Sequence, residues 1–366
     1  MSTDSPVTKK PRSSEYFAVH AGTFHADEAL AVFLLRLLPR FASMELKRSR
    51  DPAVLEGATL IADVGGVYDP ETLRFDHHQR GFNEVFGHGF KTKLSSAGLV
   101  YKCVALSFDS KGLCEHDRRP HDLCSLRHFG KEILSTVLSQ PIDSPLVSTL
   151  FLKMYADFVE AFDGIDNGVT QYVSSEPPLY RSRTDISSRV GALNPRWNEE
   201  SSDAILDQRF EQASQLAGKE FLDRLDYLEK AWLPAREIVQ RAVEKRKDVH
   251  PSGKVLVFDE FAPWKEHLHI LEQDLAIPAD ELPLYALYPE DSKKPESKWR
   301  IQAVPVTSES FESRKALPEA WRGVRDDQLS QLTGIDGCVF VHAAGFIGGN
   351  ATKDGAMTMA IKALEI

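Results

Sequence analysis

The chain has few cysteines and no long apolar segment. Its 366 residues include four cysteines, none of which belongs to a CxxC pair. This usage argues against a disulfide framework and is typical of proteins in a reducing compartment. No apolar run approaches the ~20 residues that a membrane-spanning helix needs. The sequence therefore predicts neither a disulfide-stabilised domain nor a membrane protein.

An excess of basic residues is also absent. The chain has 54 acidic and 44 basic residues, for a net charge of −10. This balance argues against a protein that coats nucleic acid non-specifically. It permits a local basic groove, because binding depends on where the Lys and Arg side chains lie. With 42% hydrophobic residues, the composition is that of a globular protein long enough for two domains.

The start of the chain lacks hydrophobic periodicity. Residues 1–15, "MSTDSPVTKKPRSSE", are polar and contain proline and serine, so we expect a disordered tail. The segment has no apolar core of the kind that a secretory signal needs. Its basic cluster "KKPR" is a short match to a nuclear signal, and a solvated tail is the competing interpretation.

Histidines and acids follow three strand-like runs. "YFAVH" predicts a strand, followed by a turn and by a helix that starts in "FHADE" and stops at Pro39. "TLIADVGG" and "LRFDHHQRGF" predict two further strands that end in polar residues. The side chains at these strand ends are His20, His25, Asp27, Asp63, Asp76, His77 and His78.

These side chains have the chemistry of a hydrolytic metal site. Ligands gather at the carboxyl ends of the strands in an open parallel sheet. Imidazole and carboxylate ligands without thiolate suit Mn, Mg, Fe or Zn, and a pair of such ions supports phosphoryl displacement. The competing interpretation is an ordinary polar helix start at "FHADE" and a turn-capping aspartate at Asp63. The ordered set favours the metal site.

Several longer motifs carry a resemblance to a known family. They include "GTFHADEALA", "IADVGGVYDP", "FDHHQRGF", "TKLSSAGLVYK", "LNPRWN" and "FVHAAGFIGG", and they extend from about residue 16 to the C-terminus. The chain is similar to the melanocyte-proliferating-gene-1 protein family, in the DHH phosphoesterase superfamily. The resemblance implies a metal-dependent 3′→5′ RNA exonuclease of the nucleus or mitochondrion, with the cytoplasm as an alternative location.

The resemblance also implies roles for particular residues. Two ions, Mn²⁺ or Mg²⁺, would be held by His20, His25, Asp27, Asp63, His77 and Asp166. In the catalytic pair, His78 would contact the phosphate and Asp76 would orient a histidine. "FVEAFDGIDNGV" contains two aspartates three residues apart, Asp163 and Asp166. Asp166, next to the helix end, is the better candidate ligand, whereas Asp163 would cap the helix or hold an arginine.

Substrate contacts are expected from both halves of the chain. The scissile phosphate would be bound by Lys93 or Arg189. In "FVHAAGFIGG", a strand would end at His342, and a turn at Gly348 and Gly349 would allow close approach to a phosphate or ribose before the next helix. Trp197 or Trp264 would stack a base, unless both are core residues.

The predicted fold is α/β, with a DHH-type parallel-sheet domain, a helical connector and a smaller C-terminal α/β domain. The boundaries are 16–210 for the catalytic domain, 211–250 for the connector and 251–366 for a substrate-binding domain that closes over the metals. Residues 107–130 form an insertion. A zinc cluster is an alternative to a surface loop there, with the ligands Cys114, His116, His121 and Cys124.

Other functions fit the same residues. A small-molecule phosphatase acting on pyrophosphate or a dinucleotide would use the same metals, and a non-catalytic binding scaffold would keep the fold. The predicted partner is an RNA substrate, with no membrane association. The oligomeric state is open, with a homodimer among the options.

Overall fold

The residues that a computed structural model describes are 15–105, 127–172, 176 and 179–366. The chain divides into two units, Met1–Leu225 and Asp226–Ile366, and the division falls inside the last turn of the helix Asp203–Tyr227. Within the described ranges, no helix is both long and apolar enough to cross a bilayer. Cys103 and Cys338 are buried and form no disulfide.

The first unit alternates strands and helices and then becomes helical. Its strands are β1 (Tyr16–Val19), β2 (Glu45–Arg48), β3 (Leu60–Ala62), β4 (Tyr68–Asp69), β5 (Arg74–Phe75), β6 (Val85–Gly87), β7 (Phe90–Lys93), β8 (Val104–Ala105) and β9 (Arg127–His128). Its helices are α1 (Ala26–Arg36), α2 (Pro52–Glu56), α3 (Ser96–Lys102), α4 (Phe129–Leu138), α5 (Pro145–Met154), the π-helical turn Tyr155–Val159, α6 (Glu160–Asp166), α7 (Ile186–Gly191) and α8 (Asp203–Tyr227).

The main sheet of this unit has the strand order β2-β1-β3-β5-β4. β1 pairs in parallel with both β2 and β3, β3 pairs in parallel with β5, and β4 is antiparallel at the edge. The α/β fold with a parallel sheet is therefore confirmed. Because β1, β3 and β5 are neighbours with the same direction, the polar residues that follow them emerge along one edge of the sheet.

Helix α1 is held between the sheet and the other helices. Almost every residue from Ala26 to Leu35 is buried, as expected for a helix packed on more than one side. Its first turn is capped, because Glu28 Oε1 accepts a hydrogen bond from the backbone N–H of His25 at 2.8 Å. Helix α3 packs against it. The candidate site residues at the start of α1 are thus fixed by a buried scaffold.

The second unit contains a mixed sheet between two helical layers. Its elements are the π-helical turn Leu228–Trp232, α9 (Leu233–Glu244), α10 (Arg246–Val249), β10 (Val255–Val257), α11 (Trp264–Asp274), the 3₁₀ turn Ala279–Glu281, β11 (Tyr285–Pro289), β12 (Trp299–Ala303), the 3₁₀ turn Glu319–Trp321, α12 (Asp326–Thr333), β13 (Cys338–Val341), β14 (Ile347–Asn350) and α13 (Lys353–Glu365). The strand order is β10-β11-β12-β14-β13. β10 is parallel to β11, and the other pairs are antiparallel.

One local prediction needs correction. The glycines at 348 and 349 do not form a turn, because both lie inside β14, which is paired on both sides with β12 and β13. The last residues of the predicted insertion, 127–130, lie in β9 and at the start of α4. Its candidate zinc ligands, Cys114, His116, His121 and Cys124, lie outside the described residues. The predicted connector 211–250 is helical and is divided between the two units.

Candidate metal centre

The loop between β1 and α1 presents two histidines, and distant residues hold its backbone. Arg48 donates from Nη2 to the carbonyl of Gly22 at 2.6 Å. Asn194 accepts from the N–H of Phe24 at 3.0 Å and donates to the carbonyl of the same residue at 2.9 Å. His20 is therefore buried at one end of a fixed loop and His25 is exposed at the other.

Asp63 stands at the centre of the site. It follows β3 directly and has a positive φ of 60°, a conformation that is uncommon for residues other than glycine. Its Oδ2 lies 3.3 Å from Nε2 of His20, and its Oδ1 lies 3.3 Å from Nε2 of His77. One carboxylate thus faces two histidines from two different strand ends, as a bridging ligand would.

One group of ligand atoms forms around His20. Nε2 of His20 lies 2.9 Å from Oε1 of Glu28 and 3.3 Å from Asp63. One ligand atom from each of His20, His25, Glu28 and Asp63 lies within 4.8 Å of the others. The side chains of His20, Glu28 and Asp63 are at most 3% exposed. This group is called the inner position below.

A second group forms around His77. Its Nε2 lies 3.2 Å from Oδ2 of Asp166, 3.3 Å from Oδ1 of Asp63 and 4.0 Å from Oδ2 of Asp27. His25 also joins Asp27 and Asp166 within 4.8 Å. These ligands form the outer position. All six predicted ligands therefore lie in one cluster, in which Asp63 and His25 have atoms near both positions.

Two adjacent serines at the start of α3 hold two of the acids. The hydroxyl of Ser96 donates to Oδ2 of Asp27 at 2.8 Å. Oδ1 of Asp163 accepts from the backbone N–H and the hydroxyl of Ser95 at 2.9 and 2.7 Å, and from the N–H of Gly98 at 3.1 Å. Asp163 therefore caps α3. This contact differs from the two predicted roles, which were to cap its own helix or to hold an arginine.

The two members of the predicted catalytic pair are in contact. Oδ1 of Asp76 lies 2.6 Å from Nδ1 of His78 and accepts from the backbone N–H of His78 at 3.1 Å. Oδ2 of Asp76 accepts from the N–H of Gly66 at 2.6 Å. The carboxylate is buried, whereas the side chain of His78 is 62% exposed. A fixed carboxylate therefore orients an accessible imidazole.

Several buried polar atoms of the cluster have no hydrogen-bond partner. Those at the two positions are Oδ1 of Asp27, Oε2 of Glu28, Oδ1 of Asp63, and Nδ1 and Nε2 of His77. A buried carboxylate oxygen without a donor is costly, and carboxylates crowded together repel one another. Divalent cations would compensate both effects. The donor set, oxygen and imidazole without thiolate, fits Mn²⁺, Mg²⁺, Fe²⁺ or Zn²⁺.

The protonation equilibria reflect the same crowding. Burial alone would lower the pKa of His20, but Asp63 and Glu28 raise it to about 10. Burial would raise the pKa of Asp63, yet His20 and His77 hold it at about 2. Burial and the neighbouring Asp27 raise the pKa of Asp166 to about 8. Without cations, the cluster keeps extra protons to balance its carboxylates.

The outer position opens into a pocket of about 680 Å³. Its floor includes Asp27, His77 and Asp166, with His25 and His78 also in the lining. The wall has an apolar part with the half-exposed Ile165 and a polar part with Lys93 and the serines of α7. A ligand in this pocket would touch the ligands of the outer position and the exposed imidazole.

The other predicted substrate residues are placed differently. Arg189 is outside the pocket lining, and its Nη1 donates to Oε1 of Glu220 at 2.8 Å. His342 is exposed at the end of β13, where its Nδ1 accepts from the N–H of Ala344 at 3.1 Å. Of the two tryptophans, Trp264 is a core residue at 2% exposure and Trp197 is 96% exposed.

The structure adds residues that were not predicted. Glu28 belongs to the inner position, although its place in the first turn of α1 has the appearance of an ordinary capping glutamate. Asn194 and the serines Ser95 and Ser96 support the ligands from far along the chain. Only the motifs "LNPRWN" and "TKLSSAGLVYK" signalled them, without showing what they contact.

The fold and the site define an α/β protein with a carboxylate and imidazole centre suited to divalent metal. The chain matches the family model MYG1_exonuc, described as "Uncharacterised protein family (UPF0160)", over residues 16–108 and 126–364. The stretch between these two matched ranges lies inside the predicted insertion. The chain belongs to this MYG1 family.

Relatives match along nearly the whole chain. A MYG1 protein from Dictyostelium discoideum is 46% identical over 346 residues, which cover 94% of this chain and 95% of that protein. A protein named MYG1 exonuclease from Homo sapiens is 42% identical over 365 residues, which cover 97% of this chain and 88% of that protein. The protein of the same name from Bos taurus is 42% identical over 363 residues, which cover 96% of this chain and 86% of that protein.

Proposed function

We propose that this protein is a metal-dependent exonuclease that shortens RNA from its 3′ end, and that its first unit is a DHH-type phosphoesterase. The single observation that carries the proposal is the pair of ligand groups that share Asp63, one of which opens into the pocket. The relatives from Homo sapiens and Bos taurus are named exonucleases, which agrees with phosphodiester hydrolysis at such a centre.

The ions would be Mn²⁺ or Mg²⁺, two per chain. Their ligands would be His20, His25, Asp27, Asp63, His77 and Asp166. When bound, a pair of such ions activates a water and stabilises the negative charge that develops on the attacking and leaving oxygens. The serine donors to Asp27 and the strained backbone at Asp63 fix these carboxylates before substrate arrives.

His78 and Lys93 would bind the scissile phosphate. Asp76 Oδ1 accepts from Nδ1 of the His78 ring, so the imidazolium form of the ring can donate from Nε2 to a phosphate oxygen. Lys93 lines the pocket, and its ammonium has no carboxylate partner among the residues that the structure covers. Arg189 is less suited to this role, because its guanidinium already pairs with Glu220.

The exposed His342 of the second unit would make a contact with RNA in its own right. Gly348 and Gly349 do not fit the role expected of them. Both are in a strand with partners on either side, so their backbone groups belong to the sheet rather than to a phosphate site. Their small size serves packing, since a Cβ on Gly349 would lie 2.6 Å from Nη1 of Arg300.

The test uses a 5′-labelled RNA of about twenty nucleotides incubated with Mn²⁺. We expect a ladder that shortens progressively from the 3′ end. Asp63→Asn should keep the fold but lower the rate by at least about a hundredfold, as expected for two-metal catalysis. Asp143→Asn, an exposed acid outside the site, is the matched control and should retain full activity.

Other products would decide against the proposal. Internal fragments at early times would indicate an endonuclease. Hydrolysis of pyrophosphate or dinucleotides without any shortening of the longer RNA would indicate the small-molecule phosphatase. An Asp63→Asn variant with normal activity in Mn²⁺ would remove the cluster from the reaction.

A further inference from the structure

The carboxylate of Glu28 has one oxygen in use and one without a partner. Its Oε1 accepts from the N–H of His25 at 2.8 Å and lies 2.9 Å from Nε2 of His20. Its Oε2 has no hydrogen-bond partner, and the side chain is 0% exposed. A glutamate in the first helical turn usually caps the helix from the surface. Complete burial is more than a cap requires.

His20 presents a lone pair to the same place. Its Nδ1 lies 3.2 Å from the carbonyl oxygen of Ala21. When Nδ1 carries the proton and donates to this carbonyl, Nε2 is unprotonated and faces Oε1 of Glu28 and Oδ2 of Asp63. Three lone-pair donors then converge with no hydrogen between them. A cation satisfies this arrangement, and the backbone contact is the type that orients a ligating histidine.

The inner and outer positions differ in their access to solvent. The pocket is lined by the outer ligands Asp27, His77 and Asp166, whereas His20, Glu28 and Asp63 are not part of its lining. An ion in the inner position would therefore meet three enclosed donors, while its fourth, His25, is exposed and reaches the pocket. An ion in the outer position would face the substrate.

We propose that Glu28 is a direct metal ligand, and that it makes the inner position a tightly held site that stays occupied while the outer position exchanges its ion. This inference rests on the proposed metal-dependent function, which itself does not require Glu28. A carboxylate adds both charge and a fourth protein donor to His20, His25 and Asp63, and both raise affinity for a hard divalent cation.

The experiment measures bound Mn²⁺ per chain after metal-free protein is reloaded and dialysed. Wild-type protein should titrate in two steps, with affinities at least about tenfold apart. Glu28→Gln keeps an oxygen that can accept from His25 but loses the charge, so it should lose the tighter step. Asp166→Asn should lose the weaker step and keep the tighter one. Glu45→Gln, an exposed carboxylate, is the control and should retain both steps.

The outcomes separate this inference from the proposed function. If Glu28→Gln keeps both steps at wild-type affinity and only melts at a lower temperature, Glu28 is a helix cap and the inference is wrong. If Glu28→Gln does not fold, the Mn²⁺ titrations of Glu28→Asp and of wild-type protein test the inference instead. A single affinity in wild-type protein, or an unchanged tight step in Glu28→Asp, contradicts the inference. Wild-type protein that binds no Mn²⁺ contradicts the proposed function itself.

Discussion

Replacing Asp163 by asparagine should change how stability depends on pH. Burial raises the pKa of this carboxyl from its ordinary 3.8 to about 7. The folded protein thus holds the proton more tightly than the unfolded chain, so the contribution of Asp163 to stability falls as pH rises between these two values. With these pKa values, linkage gives a loss of about 2.6 kcal/mol between pH 5 and pH 8.

Asparagine can preserve the contacts while removing the titration. Its oxygen can accept from Ser95 and Gly98 as Oδ1 of Asp163 does, and its amide can donate to the hydroxyl of Tyr155, which lies 2.8 Å from Oδ2 of Asp163. Asp163→Ala removes the acceptor for two buried backbone N–H groups. That variant should be less stable than Asp163→Asn by about 4 kcal/mol at every pH, because neither side chain titrates and each such group costs about 1–3 kcal/mol.

The assay is urea denaturation at several pH values between 5 and 8, with a chelator present so that metal binding does not contribute. The quantity compared is the free energy of unfolding of wild-type protein minus that of Asp163→Asn. We expect this difference to decrease by about 2.6 kcal/mol from pH 5 to pH 8. A difference that stays constant would refute the reasoning, because it would show a carboxyl already ionised at pH 5.

Three further outcomes are expected. Gly218→Ala should lower the free energy of unfolding by about 1–3 kcal/mol, because its Cβ would overlap the ring of Phe33; equal stability would contradict this packing. Gly349→Val should lower the melting temperature without changing bound metal, since it displaces Arg300; a raised KM for RNA at unchanged stability would restore the glycine to the substrate site. A chelator should lower the melting temperature of wild-type protein but hardly that of Asp63→Asn, and equal shifts would place the metal elsewhere.

The clustering of the candidate metal ligands could be predicted because their signal is local. His20, Asp63 and His77 each follow a buried strand, where packing offers no reason for a histidine or an acid. Strand direction then places them at one edge of the sheet. The place of Asp166 beside the other candidate ligands was also expected from sequence, but the contacts of Asp163 were not. They depend on the start of α3, about seventy residues away in the chain.

Other features depend on contacts that no local pattern contains. Glu28 matches a helix cap in sequence, and only its burial shows a second role. Asn194 holds the loop at Phe24 from 170 residues away. The adjacent glycines at 348 and 349 indicate a turn by propensity, yet in β14 they provide space for side chains of neighbouring strands. Tertiary contacts override the local preference there.

The most direct test follows activity on a 3′-labelled RNA while Mn²⁺ is added back to metal-free protein, with bound metal measured in the same samples. We expect no release of labelled nucleotide from the metal-free protein. Release of the labelled terminal nucleotide should begin as the second ion binds, and should be lost in Asp63→Asn. Shortening of the RNA at an equal rate in the metal-free protein, or in Asp63→Asn, would contradict this expectation.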